Sequence, residues 1–229
     1  TKKKISIIFL GSRPISLKFY SLFKSQIIGV IKTKENQKWW KKDINNKKKI
    51  KFLKFNQLKN LEYDLGISLN YNKKIDEKIL STAKIGFLNI HYSYKNYYRG
   101  RNIMFLSIIN YPKQMAGFTV HWINQKFDMG KILFSKKVII NKNDTSEKLY
   151  FKIENKLYFF LKNTMRKNLN KFLNLKTKNP IGKPIYFKKK QLNEYINNYL
   201  KKNGDKKKLI RALIFKNYNK KLISKLKRI

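Results

Sequence analysis

The sequence predicts an α/β sheet protein, and three observations carry the prediction. Short apolar, β-branched runs recur between residues 4 and 140, separated by turn and polar segments. The first two runs enclose a helical repeat, giving a β-α-β opening. Hydrophobic residues make up 42% and aromatics 14% of the 229 residues, which supplies a core that a disordered basic tail lacks.

Residues 4–10 (K-I-S-I-I-F-L) read as a buried strand, closed by Gly11-Ser12-Arg13-Pro14. Pro14 suits the first turn of a helix, where its missing N–H would have no partner in any case. Ile15, Phe19, Leu22 and Phe23 then recur at helical spacing, and 27–31 is a second strand. Residues 32–49 are polar and basic and read as an irregular excursion with a short helix. Within it, Trp39-Trp40 either stacks on a ring or anchors the loop. A weak strand is expected at 50–55, a stronger one at 64–70, a short helix at 75–80 and a strand at 86–91. A loop over 92–100 leads to a helix near 102–109, with Met104 and Phe105 facing the sheet. Strands at 117–123 and 132–140 follow. Asp144-Thr145-Ser146-Glu147 has the Asp-x-x-Glu spacing of a capping box and opens a long amphipathic helix carrying Leu149, Ile153, Leu157, Phe160 and Leu161.

From about residue 176 the chain becomes Lys-rich. Asn179-Pro180-Ile181-Gly182 is a turn cluster, 185–187 a short strand candidate, and 192–200 and 207–214 are helical. The expected organisation is one domain over 1–175 and a short basic C-terminal segment over 176–229.

Lys and Arg number 55 against 12 Asp and Glu, a formal charge of +43. Such a surface attracts polyanions with strong salt dependence. Yet only six basic residues are Arg, and the abundant Lys, Asn, Ile, Phe and Tyr share A/T-rich codons. Readers of nucleic acid rely on Arg for bidentate contacts. The composition therefore favours codon bias over selection for binding, and predicts Lys spread around all exposed faces. The absence of cysteine excludes a disulfide framework, a thiolate nucleophile and a cysteine metal site. Apolar runs fall short of the roughly 18 residues of a membrane helix. The run at 5–10 is too short for a signal-peptide core, so the expectation is a cytoplasmic protein without a membrane partner.

Chemistry concentrates in few residues. Asn89 and His91 are two apart on a predicted strand, so they share a face at its carboxyl end, where open α/β sheets place their sites. Between Glu77 and Asp144 one acid occurs, Asp128, in the loop before Gly130. A histidine held by a carboxylate, with an amide beside it, can polarise a carbonyl and move a proton. Read without further context, a histidine ending a strand is equally a packed or solvated side chain. The two histidines, His91 and His121, lack the spacing of a zinc site, so no metal is expected. No phosphate-loop, dinucleotide or nucleophile-elbow motif occurs.

In order, the chain carries D-L-G-I-S-L-N-Y (64–71), G-F-L-N-I-H (86–91), Y-R-G-R-N (98–102), A-G-F-T-V-H (116–121) and D-M-G-K-I (128–132). With K-I-S-I-I-F-L-G-S-R-P at the start, this set resembles the folate-dependent formyltransferases over roughly residues 3–170. The resemblance implies a Rossmann-like, doubly wound, mostly parallel sheet with a small C-terminal appendage. It also implies 10-formyltetrahydrofolate as formyl donor and Asn89, His91 and Asp128 as catalytic residues. In those roles Asn89 holds the formyl oxygen. His91 partners the developing oxyanion, and Asp128 orients His91 and helps remove the amine proton. The three must then converge to about 2.6–3.2 Å or through one water. Candidates to border the donor are Ser93, Tyr94 and Gly130. The family's Ser-Leu-Leu-Pro type loop is replaced here by Ser93-Tyr94-Lys95-Asn96. Arg99 and Arg101 either bind an anionic acceptor or fold their loop, and His121 is expected to be structural.

Three acceptor readings follow. The arrangement of Y-R-G-R-N and the short C-terminal extension look like sugar N-formyltransferases, whose acceptor is an amino sugar on a nucleotide. Methionyl-tRNA formyltransferase, acting on initiator tRNA, suits the charge, but the chain lacks room for its C-terminal barrel. A binding protein of the same fold without activity would account for the altered 93–96 loop.

Overall fold

A computed structural model describes residues 4–33, 50–71, 73–112, 115–181, 185–188, 191–215 and 219–228. The expected excursion at 34–49, with Trp39-Trp40, lies outside them. The chain divides into two compact units that interleave along the sequence. Unit 1 takes 1–91, 119–135 and 157–180; unit 2 takes 92–118, 136–156 and 181–229. The boundary expected at 175/176 is a single cut, whereas these units exchange the chain several times.

Among the described residues of unit 1, β1 (Ile7–Leu10), α1 (Pro14–Phe23) and β2 (Ile27–Ile31) form the opening β-α-β. Pro14 stands in the first turn of α1, as its lost N–H allows. Phe19 of α1 stacks between Phe9 and Phe23 at 4.6 and 4.5 Å and buries the helix on the sheet. Residues 50–55 do not form a strand of the sheet. Phe52 makes an isolated bridge to Val30, and Phe55–Asn60 winds into a 3₁₀ helix. β3 (Leu65–Leu69), α2 (Glu77–Leu80) and β4 (Gly86–His91) follow. After β5 (Tyr98–Gly100) and α3 (Ile103–Ile109), β6 (Ala116–Trp122) and β7 (Ile132–Val138) complete the main sheet. Its order is β2-β1-β3-β4-β6-β7. β1 pairs in parallel with β2 and β3, and β3 with β4, while β6 runs antiparallel to β4. Ser6 ties the amino ends of β1 and β3, donating from its N and Oγ to Asp64 Oδ2 at 2.8 and 2.9 Å. Phe134 stacks on Phe160 at 4.3 Å, and both meet Phe172 of α5 (Leu169–Leu173).

In unit 2 the 92–100 segment is more ordered than a loop. It holds a 3₁₀ turn at Tyr94–Asn96 and β5, which pairs in parallel with β8 (Ile185–Phe187). α3 is buried along its whole length and packs on α7 (Lys206–Leu213). Its Phe105 meets Tyr195 of α6 (Leu192–Lys201) edge-on at 5.6 Å. α4 (Ser146–Phe160) is capped by Thr145, whose Oγ1 accepts from Lys148 N at 3.2 Å. Asp144 instead accepts from Asn141 N and Lys152 Nζ, so the expected box is shifted by one residue. α8 (Lys220–Arg228) ends the described chain and packs on α7. No helix among the described residues is long and apolar enough to cross a membrane.

Candidate active site

The face of β4 carrying Phe87, Asn89 and His91 changes character along its length, since alternate residues of a strand share a face. Phe87 belongs to a core with Ile8, Leu10, Leu58, Tyr63 and Ile79. Two residues on, the strand register sets Leu10, Ser68, Asn89 and His121 side by side across β1, β3, β4 and β6. His91 in turn pairs with Thr119.

The polar members of that row are bonded to one another. Ser68 Oγ donates to Asn89 Oδ1 at 3.0 Å. Asn89 Nδ2 lies 3.1 Å from Asp128 Oδ1 and 3.2 Å from His121 Nε2. His121 Nδ1 lies 2.8 Å from the Trp122 carbonyl. The chemistry of the acceptors assigns the protons. A carboxylate and a carbonyl only accept, so Asn89 turns its NH₂ to Asp128 and the His121 proton sits on Nδ1. His121 Nε2 is then an acceptor, which is what the second Asn89 N–H requires.

Asp128 reaches this row from the loop after β6. The loop folds back along β6, because Gly130 lies against its backbone: a Cβ there would be 1.6 Å from the Trp122 carbonyl oxygen. Asp128 itself adopts φ 52°, a left-handed conformation that Asp tolerates better than most side chains. Its carboxylate is shared between the histidines. Oδ2 is 3.6 Å from His91 Nε2, and Oδ1 is 3.7 Å from His121 Nε2. The side chains of His91, Asp128 and His121 are 12%, 10% and 2% exposed, so these groups sit in a desolvated niche that remains open at His91.

The three residues singled out by the sequence therefore converge, with Asn89–Asp128 within hydrogen-bond distance and His91–Asp128 slightly beyond it. His121, expected to be structural, is bonded into the cluster, and Ser68 joins it. Neither was visible as a site residue, because strand register is non-local; the only local signal was a hydroxyl inside the apolar run D-L-G-I-S-L. Gly130 is accounted for by backbone contact. The other candidates lie in unit 2. Ser93 is buried and its Oγ accepts from Tyr98 N at 2.9 Å. Tyr94 lies under the Lys95 ammonium, 5.3 Å from the ring centre. Arg99 is buried and its Nε points to the Asn96 carbonyl at 3.4 Å, so it helps fold its own loop, whereas Arg101 is exposed.

Comparison with known proteins agrees with this geometry. A formyl transferase family model matches residues 20–162, more than half of the chain. A methionyl-tRNA formyltransferase of Buchnera aphidicola is 35% identical over 44% of this chain and 31% of its own length. A GDP-perosamine N-formyltransferase of Brucella melitensis is 34% identical over 40% of this chain and 35% of its own length. The match thus spans about a third of the length of these relatives. In fold, the chain resembles an N-formyltransferase of Helicobacter canadensis, solved with folinic acid and dTDP-3-aminofucose. The TM-score is 0.71 at 22% identity, covering 93% of this chain and 81% of that one. With its strand order, its Asn-x-His strand and the Asp-x-Gly loop folded onto it, the chain belongs to the formyl transferase family.

Proposed function

We propose that the chain transfers a formyl group from 10-formyltetrahydrofolate to the primary amine of an amino sugar carried on a nucleotide. The observation that carries this reading is the convergence of an amide, an imidazole and a carboxylate at Asn89, His91 and Asp128. The donor set fits a formyl carrier, since it offers donors to a carbonyl oxygen and an acceptor for an amine proton. The exposed apolar side chains of Phe127 and Met129, on either side of Asp128, suit a flat ring system.

The folate supplies a formyl carbon activated for attack by the amine. Asn89 directs an N–H to the formyl oxygen, and His91 stabilises the negative charge that builds there in the transition state. Asp128 Oδ2 orients His91 Nε2 and receives the proton that the attacking amine loses. Burial strengthens each of these interactions by excluding competing water.

The amino-sugar acceptor is supported by the near full-length likeness to an enzyme solved with a nucleotide-linked amino sugar. A second reading, methionyl-tRNA formyltransferase with initiator tRNA as acceptor, is supported by the 35% identical relative and by the +43 charge. The converged cluster weighs against a binding protein without activity. Purified protein supplied with 10-formyltetrahydrofolate and a panel of amines tests all three. Turnover with nucleotide-linked amino sugars is the expected result. Formylation of methionyl initiator tRNA in preference to bulk tRNA at about 150 mM salt, near physiological ionic strength, would promote the second reading. Folate binding with no turnover on any amine would leave the third.

A further inference from the structure

We propose that Ser68 is a positioning residue that sets which end of the Asn89 amide faces the reaction, an inference resting on the formyl-transfer reading. A carboxamide can be seated two ways, related by a half-turn that exchanges its oxygen and nitrogen. Only one of them presents N–H to Asp128 and to an incoming oxygen. Ser68 lies directly beside Asn89 in the β3–β4 register and donates its hydroxyl to Oδ1 at 3.0 Å. It is 3% exposed, and its own neighbour across β1 is Leu10, which offers no donor. No other side chain of the row can replace this bond: His121 and Asp128 both lie at the Nδ2 end.

Removing the hydroxyl leaves the amide oxygen facing Leu10 without its donor, and a buried acceptor without a partner carries its full desolvation penalty. The amide then gains by swinging its oxygen away, which withdraws the N–H from the site. That N–H is needed most when the formyl oxygen becomes negative, so the loss falls on turnover rather than on binding. His121 reports the event independently of activity. Its proton sits on Nδ1 while Asn89 presents N–H to Nε2. A reversed amide presents oxygen and draws the proton to Nε2.

The test compares wild type, Ser68→Ala and Ser68→Thr by steady-state kinetics and by ¹⁵N spectra of the histidine rings. Ser68→Ala is expected to lower kcat about tenfold, the scale of one lost hydrogen bond in the transition state. KM for donor and acceptor should stay within about twofold, with a mixture of His121 tautomers, and Ser68→Thr should restore both readouts. Ser68→Cys, close in volume and a weaker donor, gives the same reading if Ser68→Ala melts below the assay temperature. Unchanged kcat with an unchanged tautomer in Ser68→Ala overturns the proposal, as does a loss expressed in KM alone. A tautomer shift in a protein that formylates none of the amines would sink the formyl-transfer reading and leave the hold of Ser68 on Asn89 standing.

Discussion

Phe87 and Asn89 stand two residues apart on one face of β4, and the two halves of that face are held by different physics. At the amino half, the Phe87 ring fills the space over Gly66 so closely that a Cβ there would be 2.0 Å from it. Tyr63 meets the ring edge-on at 6.2 Å, and the rest is aliphatic. Stability there comes from volume and area, and is indifferent to direction. At the carboxyl half, Ser68, Asn89, His121 and Asp128 are held by directional bonds, each of which constrains the next. Leu10 borders both halves, being a core residue and the row neighbour of Ser68. The backbone runs through the change without a break. The comparison teaches that a reactive centre can be made by exchanging residue types along an intact strand, with the core next door supplying its rigidity.

The strongest way to break the comparison is Phe87→Ala. It should cost about 3–5 kcal/mol, as for other buried aromatic truncations, measured by denaturant unfolding, while the folded fraction keeps kcat within a few fold. A large fall in kcat with unchanged stability would show that the halves are not separable. His91→Ala is the converse. It should lower kcat by about 10²–10³ and leave the unfolding free energy within about 1 kcal/mol of wild type; near-normal turnover removes His91 from the mechanism. Gly130→Ala tests whether the polar half also depends on close packing. Its Cβ would meet the Trp122 carbonyl, so about 1–3 kcal/mol of overpacking is expected. Thermal melting checks that, and kcat should fall with it as Asp128 is displaced. The smallest effect belongs to Ser6→Ala at the amino end of the sheet. About 0.5–1.5 kcal/mol of stability should go with its bonds to Asp64, with kinetics unaltered.

Legibility followed locality. The strands 27–31, 86–91 and 185–187 and the start of α1 at Pro14 were readable because periodicity and punctuation are local. Residues 50–55 misled, since the apolar pattern of a strand there supports only a bridge at Phe52 and a 3₁₀ turn. β5 was read as loop because its partner, β8, lies far along the chain. The site divided the same way. Asn89 and His91 announced themselves by spacing, and Asp128 by its scarcity among so many lysines. Ser68 and His121 acquire their meaning only from the register that sets them beside Asn89.

The Asn89 amide has one further consequence. Both of its N–H bonds are already committed, one to a carboxylate and one to an imidazole nitrogen. A ligand oxygen arriving at this amide does not fill a vacancy; it must enter by exchange. A neutral formyl oxygen offers the N–H little more than the His121 nitrogen does, at 3.2 Å, so the swap is close to balanced in the bound substrate. An oxygen carrying most of a negative charge is a far better acceptor, and charge-assisted bonds are about twice as strong as neutral ones. The exchange becomes favourable only as the reaction proceeds. His121 thus acts as an internal competitor that discounts ground-state binding and lets the amide discriminate by charge.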